Sequence, residues 1–193
     1  MIRETIVTTL SVEGEPHVAP MGATVIAGGY LLLPFRPSRT LDNLLARRVG
    51  TINLTDDARI FAGCVTGRKR DWPTVPADVI AGVRLAQTVA HEEFEVVEVV
   101  EDAQRPRLTC RVVHRAHDGA FAGLNRAVAA VVEGAVLVSR LCLLDAEKVD
   151  REMAYLSIAV EKTGGPQERE AWQWLCDAVA EFRAGAAGRE VTR

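Results

Sequence analysis

The segment PFRPSRTLDNLL, residues 34–45, joins an apolar strand to the first turn of an amphipathic helix. On its N-terminal side, the run Tyr30–Phe35 follows a glycine pair, which is typical of a buried strand that leaves a tight turn. On its C-terminal side, apolar residues recur at helical spacing, and Gly50 is predicted to end the helix in a left-handed conformation. The segment therefore predicts a strand followed directly by a helix.

Four polar side chains lie at this strand-to-helix junction: Arg36, Ser38, Arg39 and Thr40. Guanidinium groups and hydroxyls bind phosphate oxygens, and the first turn of a helix adds N–H groups that have no partner within the helix. The junction therefore predicts a phosphate site. The alternative is that Ser38 or Thr40 only caps the helix and that the arginines are solvated.

Around the junction, residues 1–118 consist mainly of predicted strands. A second helix in this part carries Ile60 and Phe61 and is capped near Asp57. Several short strands with one helix between the third and the fourth favour a small closed or half-closed barrel over a parallel sheet. The predicted strands cover residues 5–12, 17–25, 30–35, 51–54, 94–100 and 108–114.

Residues 119–193 are predicted to form a helical subdomain packed on the barrel. Apolar residues at helical spacing follow Asp145 and, after a Gly-Gly-Pro break, recur in a last helix. The apolar stretch 121–144 is long enough to suggest a membrane span. Arg126, Glu133 and Arg140 lie within it, and each would cost about 2.5–3.5 kcal/mol at a bilayer centre. No membrane association is therefore predicted.

These three charges have a sevenfold spacing, which places them on one helix face beside Asn125. One interpretation is a solvated face with charge pairing. The favoured interpretation is a buried helix that directs Asn125 and Arg126 into a site or across a subunit interface. On this interpretation Asn125, Arg126, Glu133 and Arg140 are expected to be partly buried.

Composition limits the class of protein. The chain has 193 residues, of which 48% are hydrophobic and 25% charged, as expected of a globular protein. Its net charge of −3 argues against a dedicated nucleic-acid binder, and the basic run 68–70 is too short to wrap a duplex. The N-terminal residues show no signal peptide, so a cytoplasmic location is expected.

No catalytic or metal-binding motif stands out. The four cysteines lie far apart and are expected to be buried thiols. The four histidines show no ligand spacing with carboxylates or cysteines, although His114 and His117 could in principle pair, so no metal site is predicted. Hydrolase, P-loop and Rossmann signatures are absent from the sequence.

Three linked motifs, at residues 19–22, 34–44 and 51–57, resemble the FMN-binding split barrel of flavin reductases and pyridoxamine-phosphate-oxidase-like proteins. Together with the segment 121–126, Glu133 and Ser139-Arg140, they resemble more closely the family known as domain of unknown function 447. The resemblance implies a mainly β plus α chain, with an FMN-binding split β-barrel in residues 1–118 and a C-terminal helical subdomain in residues 119–193.

The resemblance further implies a homodimer that binds FMN noncovalently near the subunit interface. In the family pattern, Thr40 and Asn43 belong to the phosphate-side segment, whereas the role of Arg39 is left open. The flavin ring needs an apolar surface and close backbone groups, which the strand through Gly22 would supply. The full set of expected cofactor-binding residues is Met21, Gly22, Thr24, Arg36, Ser38, Thr40, Asn43, Asn53, Thr55, Asn125 and Arg126.

The predicted function is that of an oxidoreductase in which the flavin carries the electrons, with NAD(P)H or another compound as electron donor. No side chain stands out as a general acid or base, and flavin hydride transfer does not require one. Two alternatives stay open: a non-catalytic flavin-binding or carrier protein, and a dimeric interaction module without cofactor. A barrel fold alone does not decide among them.

Overall fold

The computed structural model describes residues 1–190, which contain eight strands and five helices. The strands are β1 (Ile2–Leu10), β2 (Pro16–Ile26), β3 (Gly29–Leu32), β4 (Val49–Leu54), β5 (Thr74–Pro76), β6 (Val83–Leu85), β7 (Ala90–Val100) and β8 (Arg107–His117). The helices are α1 (Arg39–Arg47), α2 (Ala58–Thr66), α3 (Arg126–Val138), α4 (Ala146–Thr163) and α5 (Pro166–Glu190).

Six strands form a closed antiparallel barrel in the order β1-β2-β3-β8-β7-β4, and β1 pairs with β4 to complete the ring. The predicted barrel is therefore confirmed. Strands β5 and β6 form a separate two-stranded sheet, which the sequence did not predict. Strand β7 begins at Ala90 and β8 runs to His117, so both are longer than predicted.

The barrel interior is filled by alternate side chains of the strands. Val7, Ile52 and Phe94 are fully buried there, and Leu41 and Leu44 of α1 join the same cluster. Because inward side chains recur every second residue along a strand, each strand contributes a regular row to this core. The apolar face of α1 therefore packs into the barrel core.

Gly50 does not end α1, contrary to the prediction. Arg48 ends the helix in the left-handed conformation, with φ 60°, and its N–H bonds the carbonyl of Leu44. Gly50 lies within β4, where an added Cβ would come 2.7 Å from Cζ of Phe94. The glycine is needed for close packing against the Phe94 ring rather than for a turn.

The chain divides into two compact units, one of residues 1–56 and 71–121 and the other of residues 57–70 with those from 122 onward. The segment 57–70, which carries α2, thus groups with the later helices instead of with the predicted 1–118 barrel domain. Within the helical unit, α3 contacts α2, α4 and α5 and buries Ala127, Val131 and Gly134. Within residues 1–190, no helix has the length and apolar character to span a membrane.

Candidate functional site

Ser38 is the N-cap of helix α1, as one interpretation of the junction predicted. The Ser38 Oγ accepts a hydrogen bond from Leu41 N at 3.2 Å, and the Ser38 carbonyl accepts one from Asp42 N at 3.1 Å. The first four N–H groups at the start of a helix have no carbonyl partner within the helix, and a capping side chain bonds only some of them. Within the described residues, the N–H groups of Arg39 and Thr40 have no hydrogen-bond partner.

Two guanidinium groups flank this helix end. Arg36 Nη2 lies 2.8 Å from Glu101 Oε2, and Arg39 Nη2 lies 3.7 Å from Glu15 Oε2. All four side chains are at least 40% exposed. Exposed ion pairs contribute only about 0–1 kcal/mol, so neither arginine is strongly held by its carboxylate partner.

The segment before α1 is fixed to the turn between β7 and β8. Arg36 N donates to the carbonyl of Gln104 at 2.8 Å, and the Arg105 guanidinium donates to the carbonyl of Leu33 at 3.0 Å while lying over the Phe35 ring at 4.4 Å. Two backbone N–H groups bond the Asp102 carboxylate, and they lower its pKa below the usual value. The junction is therefore held in place by several polar contacts.

Thr40 and Asn43 are buried on α1, where they are 3% and 7% exposed. Asn43 Nδ2 donates to Thr9 Oγ1 of β1 at 2.9 Å, so its amide already has a partner in the barrel. Both residues were expected on the phosphate side of the cofactor. The structure gives Asn43 a role in positioning α1.

Met21, Gly22 and Thr24 lie on β2 between β1 and β3, in unbroken register with β1. The Met21 side chain packs against the barrel core, and its carbonyl accepts a bond from Thr5 Oγ1 at 2.7 Å. Gly22 is exposed and pairs with Glu4. Gly22 thus lies between the half-buried Met21 and the fully buried Ala23, and a Cβ added to it would come 3.1 Å from Cγ2 of Ile2.

Asn53 is fully buried in β4, and both ends of its amide are occupied. Its Nδ2 donates to the Ile6 carbonyl at 2.9 Å and to Thr8 Oγ1 at 3.1 Å, while its Oδ1 accepts from Leu85 N at 2.8 Å. The residue therefore joins β1, β4 and β6. Thr55 follows β4 directly and is half-buried.

Asn125 and Arg126 belong to the helical unit, at the start of α3. Asn125 caps the helix by accepting from Ala127 N at 2.7 Å, and it donates to the Thr163 carbonyl at 3.2 Å. Arg126, Glu133 and Arg140 are exposed, so the expectation that they are partly buried in this chain is wrong. Because Arg140 lies beyond the last residue of α3, its sevenfold spacing does not place it on the helix face of the other two.

Arg126 and Glu133 instead line a groove between α3 and α4 with a volume of about 420 Å³. Tyr155, Leu156 and Ile158 of α4 form its apolar wall. Tyr155 is 75% exposed and Ile158 45% exposed, which is high for residues of this type. The groove is a feature of the helical unit alone.

Sequence spacing predicted no metal site, yet the barrel brings together four side chains of metal-ligand type: Asp78, His91, Glu93 and His114. His91 and Glu93 are fully buried, and three backbone N–H groups bond the Glu93 carboxylate. Burial opposes ionisation of Glu93, but these bonds and the nearby His114 outweigh it and lower the pKa of this carboxyl. The sequence signal was His-x-Glu on one strand, which puts both side chains on the same face.

Two family models together cover most of the chain. The model described as protein of unknown function (DUF447), N-terminal domain, matches residues 3–118, and the one described as protein of unknown function (DUF447) matches residues 125–177. The chain belongs to the DUF447 family. The resemblance seen in the sequence motifs is thereby confirmed.

Solved structures of known proteins share the fold. The crystal structure of an FMN-bound DUF447 protein from Methanosarcina mazei matches with a TM-score of 0.77 and 21% identity, over 92% of this chain and 94% of that one. The 2-nitrobenzoate 2-nitroreductase of Pseudomonas fluorescens matches with a TM-score of 0.52 and 18% identity, over 60% and 64%. Flavoredoxin of Desulfovibrio vulgaris gives 0.51 and 11%, over 61% and 70%.

Proposed function

We propose that this DUF447 protein is an FMN-binding flavoprotein that holds the FMN phosphate at the N-terminus of α1. The observation that carries the proposal is the helix end itself, where the N–H groups of Arg39 and Thr40 have no partner among the described residues and two exposed guanidinium groups stand beside them. The FMN-bound relative from Methanosarcina mazei supports the choice of ligand.

The residues of the junction fit a phosphate monoester. Such a group carries a charge of about −1.5 to −2 near neutral pH, by analogy with phosphoserine. Arg36 and Arg39 would exchange their exposed carboxylate partners for this more highly charged group, since surface ion pairs are weak. The helix end contributes its partial positive charge to the same spot.

The buried amides have a different part in the proposal. Asn43 and Asn53 are bonded within the barrel, so they would position α1 and β4 while the exposed junction binds the ligand. Gly22 would let the strand backbone approach the ring, with Met21 and Thr24 of the same strand as further candidate contacts. Thr55, which follows β4, would contact the ribityl chain or the ring.

The proposed activity is that of an oxidoreductase with NAD(P)H or another compound as electron donor. Bound FMN would supply the hydride chemistry, and the protein would bind and orient the cofactor. The 2-nitroreductase of Pseudomonas fluorescens, which shares the barrel fold, supports this class of reaction. A non-catalytic flavin carrier is the rival function.

We also propose that the protein is a homodimer with the flavin near the subunit interface, as the family resemblance implies. The support for the dimer lies in the exposed apolar side chains of α4, Tyr155 and Ile158, and in Leu124, which is 97% exposed. Exposed apolar groups of this kind mark interaction surfaces when they lie together, as Tyr155 and Ile158 do along the groove. Arg126, on the other wall of that groove, is kept as a candidate contact at this interface.

A pair of substitutions at Ser38 tests the phosphate site. Ser38→Asp keeps a good helix cap but places a negative charge where the phosphate would bind, so the fold should be retained while FMN affinity falls by about tenfold or more. Ser38→Ala weakens the cap by about 0.5–2 kcal/mol without adding charge, and it serves as the control. Unchanged FMN affinity of Ser38→Asp in a flavin-fluorescence titration would contradict the placement.

The activity is tested by adding NADH or NADPH to the FMN-loaded protein under anaerobic conditions while recording the flavin absorbance. Bleaching of the oxidised flavin band faster than for free FMN supports an oxidoreductase. Tight FMN binding without accelerated bleaching by either donor favours the carrier. No flavin binding at all favours the interaction module.

A further inference from the structure

A cluster of four potential metal ligands lies in the barrel unit, at the end of the barrel where β7 begins and β8 ends. Glu93 stands opposite His114 in the pairing of these strands, and His91 lies two residues before Glu93 on the same face. Asp78 reaches the cluster from the loop between β5 and β6. The proposed phosphate site is at the other end of β7, where Arg36 contacts Glu101.

The buried His91 ring presents an unpaired nitrogen to this cluster. Its Nδ1 lies 2.7 Å from Asp118 Oδ2, and because an ionised carboxylate only accepts, Nδ1 carries the proton. The Nε2 atom then has a free lone pair, and it has no hydrogen-bond partner although the side chain is fully buried. Histidines that bind a metal usually donate their other ring N–H to a carboxylate, a carbonyl or water, and His91 has this arrangement.

Three distances within the cluster suit a metal ion better than hydrogen bonds. His91 Nε2 lies 3.4 Å from both Asp78 Oδ2 and Glu93 Oε1, and His114 Nε2 lies 3.3 Å from Asp78 Oδ2. Good N–H···O bonds are about 2.7–3.2 Å long. Ligand atoms around tetrahedral zinc, with bonds of about 2.0–2.1 Å, lie about 3.3–3.4 Å apart. All four ligand atoms are within 4.8 Å of one another.

We propose that Asp78, His91, Glu93 and His114 bind one divalent transition-metal ion, with zinc as the best match to this mixed set of imidazole and carboxylate ligands. Asp118 accepts a hydrogen bond from Nδ1 of His91 and so orients the ring with Nε2 towards the ion. Four protein ligands complete a tetrahedron, which is the arrangement of structural zinc sites. The ion therefore ties the loop between β5 and β6 to β7 and β8.

The charges of the surrounding groups agree with a divalent cation. Asp78, Glu93 and Asp118 carry three negative charges, whereas Arg84, 3.5 Å from Asp118 and 3.9 Å from Asp78, supplies one positive charge. With both imidazoles neutral, these residues sum to −2, which one divalent ion neutralises. The backbone N–H groups of residues 78–80 already hold the Glu93 carboxylate in place.

Zinc titration of the full chain by calorimetry, after treatment with chelator and desalting, tests the proposal. All variants carry Cys142→Ser, because an exposed thiol binds zinc by itself. This reference protein should bind one zinc per chain, and Asp78→Asn and His114→Ala should each weaken the affinity at least about tenfold. His117→Ala, which removes an exposed histidine of the same strand, is the matched control and should keep full affinity.

A thermal melt with and without zinc supplies the second measurement. Zinc should raise the Tm of the reference protein and of His117→Ala but leave that of Asp78→Asn nearly unchanged. Absence of zinc binding by the reference protein would overturn the proposal, as would equal affinity or an equal Tm rise in Asp78→Asn. Asp78 is an exposed loop residue, so its variant reports on the site even if His114→Ala fails to fold. Zinc binding is measured in the same way with or without flavin, so the zinc result does not depend on whether FMN binds at α1.

Discussion

The Asn43 amide of α1 donates to the Thr9 hydroxyl of β1 at 2.9 Å, and both side chains are buried. The two residues are 34 positions apart in the sequence, so only the folded structure brings them together. The bond connects the helix of the proposed phosphate site to the barrel wall. Its loss should therefore affect the position of α1 as well as stability.

Thr9→Val removes the acceptor and leaves the Asn43 Nδ2 group buried without its partner. An unpaired buried polar group costs about 1–3 kcal/mol, so the free energy of unfolding in urea should fall by this amount. Thr9→Val combined with Asn43→Leu removes both polar groups and should cost less than the sum of the two single changes. Strict additivity of the three variants would contradict an energetic link between the two side chains.

Gly50 should not tolerate even one added methyl group. An alanine Cβ would lie 2.7 Å from Phe94 Cζ and 3.1 Å from Leu44 Cδ2, and both side chains are fully buried. Overpacking of this kind costs about 1–3 kcal/mol, so Gly50→Ala should lower the urea midpoint of unfolding. Phe94→Leu shortens the ring that would clash, and Gly50→Ala should be less costly in that background. Equal costs in the two backgrounds would show that the Phe94 contact is not the cause.

The start of α1 was predictable because its signals are local, whereas β3 ends at Leu32 instead of the predicted Phe35, so the strand does not run directly into the helix. Ser38 is a good N-cap, the leucines follow at helical spacing, and the structure places the start of α1 there. Gly50 was misassigned because the demand for a glycine comes from Phe94 of a distant strand, which no local pattern records. The end of α1 could not be predicted because Arg48, and not a glycine, adopts the left-handed conformation there.

The start of β7 was missed for a related reason. Ala-His-Glu-Glu at residues 90–93 has the composition of a loop, yet His91 and Glu93 are fully buried. Their burial depends on partners from β8 and from the loop between β5 and β6, which only the closed barrel brings together. Likewise, Asn53 was expected to face the cofactor, but contacts with β1 and β6 occupy its amide.

Only Cys110 of the four cysteines is buried, so the expectation that all four are buried thiols is wrong. Cys110 should be the least reactive of the four at mildly alkaline pH. Burial raises its pKa from 9.0 to about 12, so very little thiolate exists in the folded protein at pH 8. The exposed Cys142 should react readily with a disulfide reagent, whereas Cys110 should react only as the chain unfolds. Mass spectrometry of labelled peptides measures both, and rapid labelling of Cys110 in the folded protein would contradict its burial.

The same thiol gives the protein a pH dependence of known sign. Above about pH 9 the unfolded chain loses the Cys110 proton while the folded chain keeps it, so the contribution of this group to stability falls as the pH rises from 9.0 towards 12. Below pH 9 the contribution is fully present. Urea unfolding at about pH 8 and pH 10.5 should show a larger loss for the native sequence than for Cys110→Ala, which lacks the titrating group. Equal losses would assign the alkaline destabilisation to other groups.

Ile158→Glu should separate the proposed homodimer into single chains. Ile158 is 45% exposed and lies with the 75% exposed Tyr155 along the groove of α4, so association there would remove water from the new carboxylate. Burying an unpaired charge is costly enough to weaken dimerisation by on the order of a hundredfold or more. Val12→Glu is the matched control, since Val12 is a 66% exposed valine of the β1–β2 turn and the substitution adds the same charge. Light scattering should report one chain for Ile158→Glu and two for Val12→Glu and for the native sequence, and a dimeric Ile158→Glu would place the interface on another surface.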